Sequence, residues 1–333
     1  MKDLRFGILS TAGVNKFAFL PMVGKIEGMQ LTAVASRNID SAAIYAQTYN
    51  IPKAYGDYDS LVADPDIDCV YISMPNAMHK EWAIKALDAG KHVLCEKPVA
   101  SSAGEAQEIA DKVKATGLTF AEAFHYRYHP LAAKIEEIVR SGDIGEVIEI
   151  YSVFNNRIKD RSKPQMFGRL AGGALMDTGC YPVNFCRWIA GCDEAEVKWA
   201  HSTFTETGVD GTTVARLKFD NGVFGNIGCS IDLLFPVSAF IRGSKGTIFL
   251  DMPYCPAWQK GNTIKDVYLF LVQRGLRVDN IRVPAITTYH CQLQAFCDAV
   301  REGRQTLTDA GQAVLNMRLI DAIFDKSGGR KNW

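Results

Sequence analysis

No charge of either sign predominates in this 333-residue chain: Lys and Arg number 37, and Asp and Glu number 37. A balanced surface lacks the cationic field that draws nucleic acid or anionic lipid, so neither is expected as a partner. No window of about twenty apolar residues is present, so no membrane-spanning helix is expected. The opening text Met1-Lys2-Asp3-Leu4-Arg5-Phe6 has no long apolar segment and no small-residue cleavage site. That argues against a secretory leader and for a cytoplasmic protein. Cysteine occurs nine times, but never as a C-x-x-C pair or with histidine at zinc spacing. Free thiols in a reducing compartment, with no disulfide framework and no bound metal, are the expectation. No G-x-S-x-G turn occurs, which removes the nucleophile elbow of the serine hydrolases. Internal repeats and low-complexity linkers are also missing. A content of 47% hydrophobic and 22% charged residues fits a folded chain long enough for two cores.

What is present is an alternation. Apolar runs at 4–9, 29–36, 69–73, 92–95 and 118–123 read as buried strands. Helical text separates them. One stretch covers 41–49, with Asp40 placed to cap it, and another covers 80–89, where Trp82, Ala83, Ala86 and Leu87 recur at helical spacing before Gly90. A third starts at Ser102, whose capping box is completed by Glu105, and ends before Gly117. Strands joined by helices predict crossover units and a parallel sheet covered on both faces, an α/β domain over residues 1–123. After that the pattern changes. A helix at 131–140, stopped by Gly142, precedes strands at 146–154, 212–219, 223–231 and 268–272. The tight turn Asp220-Asn221-Gly222 joins the middle two. Successive strands with short connections predict an antiparallel sheet, and helices return at 292–301 and 310–324. Residues 124–333 are expected to form a second, α+β domain whose last helices pack at the junction.

The turn after the first strand reads Ser10-Thr11-Ala12-Gly13-Val14-Asn15. A dinucleotide fingerprint, G-x-G-x-x-G, would place glycine at Ser10, Ala12 and Asn15, and none is glycine. Ser10 and Ala12 are small enough for the backbone to approach a pyrophosphate, with a helix N-terminus supplying amide donors. A small-residue turn without ligand accounts for the same text equally well. The second strand would end in an acidic residue if it held the ribose 2′-hydroxyl of NAD; here Ser36-Arg37-Asn38 stands instead. A hydroxyl and a guanidinium suit a 2′-phosphate, so a bound dinucleotide would be NADP sooner than NAD. A solvated surface arginine is the alternative.

Six blocks carry a wider likeness: Ala33-Val34-Ala35-Ser36-Arg37, Asp68-Cys69-Val70-Tyr71-Ile72, Pro75-Asn76-Ala77-Met78-His79, Ala89-Gly90-Lys91-His92-Val93-Leu94-Cys95-Glu96-Lys97-Pro98, Glu122-Ala123-Phe124-His125-Tyr126-Arg127-Tyr128-His129-Pro130, and Gly172-Gly173-Ala174-Leu175-Met176-Asp177-Thr178-Gly179-Cys180-Tyr181-Pro182. Together they resemble the glucose–fructose oxidoreductase/inositol dehydrogenase (Gfo/Idh/MocA) family over nearly the whole chain. The nearest subgroup is that of the NADP-linked dihydrodiol and D-xylose dehydrogenases and their ketoreductase relatives. The resemblance implies an N-terminal Rossmann domain with a doubly wound parallel sheet. It also implies a C-terminal α+β domain whose large, open, mostly antiparallel sheet carries the substrate pocket and an oligomer interface. It implies that the Glu-Lys-Pro lysine, Lys97, lies beside the nicotinamide and the substrate oxygen. The family's aspartate and acid/base residue map onto Asp177 and Tyr181, and Pro75, Asn76, His79 and Glu96 would line the nicotinamide side.

These residues suit hydride transfer, in which the protein must orient a carbinol carbon and manage the proton on its oxygen. Lys97 follows the strand at 92–95, at the carboxyl edge where doubly wound sheets bind ligands. A partly desolvated lysine beside a cationic ring would have a lowered pKa and could exchange a proton with that oxygen. Asp177 and Tyr181 are four apart and share one face if their stretch is helical. A phenol with a reference pKa of about 10 needs a nearby positive charge, which Lys97 would supply across the domain junction. Asp177 would orient Lys97 or a substrate hydroxyl, and Gly172, Gly173 and Gly179 would let the helix begin close to ligand. Tyr126, Arg127, Asn156 and Arg169, with Tyr128 and Arg157 beside them, are candidates for binding substrate hydroxyls. His125 and His129 read as packing residues, because no partners stand at metal-ligand spacing. The expectation is a homo-oligomeric (dimeric or tetrameric) oxidoreductase of CH–OH groups, using NADP, with NAD possible, on a sugar, polyol or vicinal diol. Two alternatives stay open: a non-catalytic dinucleotide or sugar sensor on the same fold, and an enzyme that holds its cofactor tightly for internal redox steps.

Overall fold

Leu4–Leu9 (β1) is apolar apart from Arg5 at its start, so the rest of it must be covered on both sides; in the computed structural model it lies inside a six-stranded sheet. The described residues are 3–256, 267–273 and 278–330. They fall into two units, the first taking residues up to Phe124 together with Tyr289–Val314. Its strands are β1, β2 (Met29–Ala35), β3 (Lys53–Tyr55), β4 (Cys69–Ile72), β5 (His92–Cys95) and β6 (Phe120–Glu122). Every pairing is parallel and the order is β3-β2-β1-β4-β5-β6, the doubly wound arrangement. Its helices are α1 (Asn15–Ala18), α2 (Ile39–Tyr49), α3 (Tyr58–Ala63), α4 (His79–Asp88) and α5 (Ala103–Thr116).

Local chemistry sets several of these boundaries. Asn38, not Asp40, caps α2: the backbone at 38 is extended, and its side-chain oxygen accepts the amides of Asp40 and Ser41 at 2.8 and 3.1 Å. Ser102 caps α5 by accepting the Glu105 amide at 3.3 Å, while Glu105 reaches back to the Ser101 amide at 2.9 Å, one residue beyond the usual box partner. Gly117 ends that helix in the left-handed conformation, φ 68°. On one side of the sheet, the Phe6 ring packs against Phe19 at 5.4 Å and Phe296 at 6.0 Å, and Phe19 stacks on Tyr71. Phe296 comes from α8 (Thr288–Glu302). Burying each such ring stabilises the unit by roughly 1.5–3 kcal/mol.

The second unit takes His125–Thr288 and the chain from Leu315. It contains α6 (Pro130–Ser141), α7 (Cys180–Ala190) and an eight-stranded sheet. The strands are β7 (Val147–Asn155), β8 (Ala195–Phe204), β9 (Asp210–Phe219), β10 (Phe224–Ser230), β11 (Val237–Gly243), β12 (Gly246–Asp251), β13 (Val267–Gln273) and β14 (Val278–Val283), in the order β14-β13-β12-β11-β7-β10-β9-β8. All pairs are antiparallel except β7 with β10, which are not successive in the chain; the strands joined by Asp220-Asn221-Gly222 pair antiparallel as expected. The chain leaves β7, makes α7, and returns through β8 and β9, so β10 arrives alongside β7 in the same direction. Helix α7 packs on β7 and β10 and covers one face of the sheet. The last helix, α9 (Ala310–Ser327), has residues in both units. Among the described residues no helix is long and apolar enough to cross a membrane.

Candidate active site

The turn after β1 is bent where the fingerprint expects its first glycine. Ser10 has φ 101°, a conformation that L side chains rarely adopt. The bend is braced from below: Asn15, wholly buried, donates from Nδ2 to the Ser10 carbonyl at 2.9 Å. Asn15 therefore does not give the close helix approach of a third glycine but ties the turn to itself. α1 is a single turn, so the expected helix N-terminus contributes little dipole here. The donors at this edge are the amides of Ala12, Gly13 and Val14, which donate to no described protein group, and a side chain at Gly13 would meet open space. This donor set fits a pyrophosphate. At the end of β2, Ser36 donates its amide to Tyr55 and Arg37 stands exposed beside the Tyr58 hydroxyl. With Asn38 occupied as a cap, the charged group at that strand end is a cation, which fits a 2′-phosphate.

Lys97 follows β5 and is half-buried. The turn around it is held by three separate braces. The Tyr71 hydroxyl donates to Glu96 Oε1 at 2.6 Å, the Val99 amide donates to Glu122 Oε1 at 2.8 Å, and His79 Nδ1 lies 2.8 Å from the Pro98 carbonyl. Burial pushes the Tyr71 phenol well up, so it stays a donor. His79 has its other nitrogen, Nε2, 2.8 Å from the Met74 carbonyl and has no exposed surface. Burial, opposed by the two carbonyls and helped by the Lys97 charge, holds this imidazole below its usual pKa. Each of its two nitrogens faces a carbonyl acceptor, so the ring is fixed between the Met74 and Pro98 carbonyls. His79 thus lies behind the turn; Pro75 and Asn76, at the start of the short 3₁₀ turn Asn76–Met78, are partly exposed. Tyr71 and Glu122 brace the turn, and motif reading did not single them out. The signal was available only as polar residues within otherwise apolar strands.

In the second unit, Asp177 and Tyr181 lie on one continuous helical segment. It opens with a wide π-helical turn, Leu175–Gly179, and continues as α7. Such turns concentrate at functional sites. Asp177 is half-buried and accepts from the Gln165 amide at 3.4 Å. The Tyr181 ring packs against Phe154 and Tyr254, each at 5.2 Å, and its hydroxyl lies 3.2 Å from His125 Nε2. His125, a packing residue by spacing, therefore meets the phenol of a candidate acid/base. The two are 56 positions apart, a distance no local motif spans.

The four substrate candidates divide. The Tyr126 hydroxyl donates to Asn184 at 2.6 Å and its ring is buried among Tyr181, Phe185 and Tyr254. The Arg127 guanidinium lies 4.4 Å over the Trp188 ring. Both point inward. Asn156 and Arg169 are exposed, the latter over the face of Phe167. His129 caps α6 by accepting the Leu131 amide at 3.0 Å, a structural role.

Residues 4–124 match the model of an oxidoreductase family with an NAD-binding Rossmann fold, and residues 132–249 match the GFO/IDH/MocA C-terminal domain. A D-xylose 1-dehydrogenase (NADP(+)) of Haloferax volcanii is 34% identical over 97% of this chain and 97% of its own. A trans-1,2-dihydrobenzene-1,2-diol dehydrogenase of Mus musculus is 34% identical over 76% of each chain. Among solved structures, a 3-ketoreductase from Actinomadura kijaniata in complex with NADP and TDP-benzene superposes with a TM-score of 0.90 over 98% of both chains, at 24% identity. An aldose-aldose oxidoreductase from Caulobacter crescentus gives 0.88 over 98% of both at 22% identity, and these two likenesses speak to the fold alone.

Proposed function

Because the chain belongs to the Gfo/Idh/MocA oxidoreductase family, we propose that it is an NADP-preferring enzyme interconverting a hydroxyl and a carbonyl carbon on a sugar, polyol or vicinal diol. What carries this reading is the Lys97 turn: a lysine on a turn braced through its neighbours Glu96, Pro98 and Val99, at the carboxyl edge of a parallel sheet. The relatives that act on D-xylose and on a dihydrodiol support a CH–OH substrate.

When bound, the nicotinamide would supply or take up the hydride. The turn from Ser10 to Asn15 would hold the pyrophosphate through the amides of Ala12, Gly13 and Val14, Ser36 and Arg37 would hold the 2′-phosphate, and Pro75, Asn76 and Glu96 the nicotinamide side. Lys97 steadies charge on the reacting oxygen. Tyr181 carries that oxygen's proton, and His125 takes or returns it through the phenol contact. Asp177 orients a substrate hydroxyl. Asn156 and Arg169 bind outlying hydroxyls, while Tyr126 and Arg127 build the wall behind Tyr181.

Arg37 gives the direct test of cofactor choice. Arg37→Ala is expected to weaken NADPH binding by about tenfold to a hundredfold, the worth of charge-assisted hydrogen bonds, and to leave NADH binding unchanged. Fluorescence titration with both cofactors measures this, and equal weakening of the two would sink the 2′-phosphate assignment. Turnover of NADP⁺ against a panel of aldoses, inositols and vicinal diols then finds the substrate class.

We also propose self-association through the open face of the eight-stranded sheet. There Tyr151, Phe240, Phe249 and Phe270 lie directly opposite one another across β7, β11, β12 and β13. The Phe240 and Phe249 centroids are 4.7 Å apart, and Phe240 is 40% exposed. A contiguous aromatic ladder of this kind marks an interaction surface. The wild-type protein should elute as a dimer or larger by size exclusion with light scattering, and Phe240→Glu as a monomer; a monomeric wild type overturns the assignment. Nine cysteines, none in a disulfide, support a reducing, cytoplasmic setting.

A further inference from the structure

The helical segment that carries Asp177 and Tyr181 has no cap of its own. Its first residues follow Gly172-Gly173-Ala174, which offer no side-chain acceptor to the opening turn. The acceptor comes instead from the start of β9. Asp210, 2% exposed, accepts the Leu175 amide on Oδ2 at 2.8 Å, from a position 35 residues further along the chain. The same oxygen accepts the Thr213 hydroxyl at 2.7 Å, and Thr213 shares a 2.7 Å hydrogen bond with Ser202 of β8.

Close packing locks this arrangement. Gly173 has φ 106°, and a Cβ there would fall 2.0 Å from Asp210 Oδ1. At the far end of the π turn, a Cβ on Gly179 would fall 2.6 Å from Cys229 Sγ on β10. The turn Leu175–Gly179 is thus bound at one end by a carboxylate and pressed on the sheet at the other.

We propose that Asp210 is a positioning residue: as a carboxylate bound to the Leu175 amide, it sets the register of the turn that presents Asp177 and Tyr181 to substrate. This role rests on Asp177 and Tyr181 being the reacting groups. Burial pushes the Asp210 carboxyl up to about 7, although the Thr213 hydroxyl and the Leu175 amide pull it down. The titratable groups on the elements around it are Cys229 on β10 and Asp177 and Cys180 on the helical segment; burial and the Asp210 charge push the Cys229 thiol well up, so it stays neutral. The sign of the linkage follows. A carboxyl raised in the folded state binds its proton more tightly than in the unfolded chain, so its stabilising contribution is complete below about pH 4 and is lost as pH rises through about 7. Catalysis runs the other way, because the charged acceptor, which grips the Leu175 amide and the Thr213 hydroxyl on one oxygen more strongly than a neutral carboxyl or amide does, is populated as pH rises.

Asp210→Asn tests this, with kcat and KM measured across pH and the thermal midpoint followed in parallel. At about pH 8 the variant should lose about tenfold in kcat with little change in KM, and at about pH 5.5 it should converge on the wild type, which is then protonated too. Its melting should lack the wild-type loss of stability between these pH values. Should Asp210→Asn fail to fold, Thr213→Val keeps the carboxylate but removes a donor to its ionised form, and should move the acid limb of the kcat profile upward. Wild-type kcat at pH 8 together with an unshifted acid limb overturns the role. Tyr181→Phe separates the two readings. If it turns over normally, the reading of Tyr181 fails. If it is impaired while Asp210→Asn matches the wild type throughout, the Asp210 role alone fails.

Discussion

Lys97→Ala is expected to lower kcat/KM by about 10³-fold, within the range that a positioned proton-transfer or charge-stabilising group supplies. The folded protein should survive the change. The braces of the turn use the Glu96 carboxylate, the Pro98 carbonyl and the Val99 amide, none of them on the Lys97 side chain. Stability should therefore move by less than about 1 kcal/mol. NADPH titration should still saturate, which separates a chemical defect from a lost cofactor site. Lys97→Arg keeps the charge but replaces a compact ammonium by a planar fork, so it should recover little of the loss. Steady-state kinetics on the first substrate found decides the matter, and full turnover by the alanine variant would remove lysine from the mechanism.

The second large effect is expected at Tyr181. Tyr181→Phe keeps every ring contact with Phe154 and Tyr254 and removes only the hydroxyl, so the aromatic cluster should stay packed. The expected loss is about 10²–10³ in kcat, with KM changed far less. Losing one buried hydrogen bond to His125 should cost about 1 kcal/mol of stability. His125→Asn should give a smaller kcat loss, because the phenol remains and only its relay partner changes. If the histidine variant proves the more damaged of the two, the order of proton transfer assigned to the pair is wrong.

How much of this could be read beforehand depends on the range over which each interaction acts. β1, β2, β4 and β5 are mostly apolar, each ending in a run of buried residues, and announce a sheet covered on both faces. The Ser102–Glu105 cap and the glycine stops act within a few residues and are equally plain in the text. Strands β8 and β14 were hidden because they mix exposed polar residues into weak alternation, and β3 because it is only three residues long. Asn38 and Asp40 are equivalent caps by type, and only the extended backbone at 38 decides between them. That β10 pairs in parallel with β7 is a property of the path of the chain, not of either segment. The candidate site divides in the same way. The position of Lys97 at a strand end is legible because strand and turn are contiguous, whereas its role came from the family likeness of residues 89–98. The contacts that complete it, His79 to Pro98, Glu122 to Val99 and His125 to Tyr181, join positions 19, 23 and 56 residues apart and leave no periodic trace.

The borrowed acceptor at Asp210 also says something about modularity. Residues 173–190 look like a portable part, a glycine-opened helix with an aspartate and a tyrosine one turn apart. Grafted onto another scaffold, that segment would arrive without its N-terminal carboxylate, without the floor at Cys229 and without the imidazole that meets its phenol. Any redesign that moves this chemistry must therefore carry the sheet along with the helix. The smallest transplantable piece is the α7 segment with β7, β9 and β10 beneath it and the turn that bears His125.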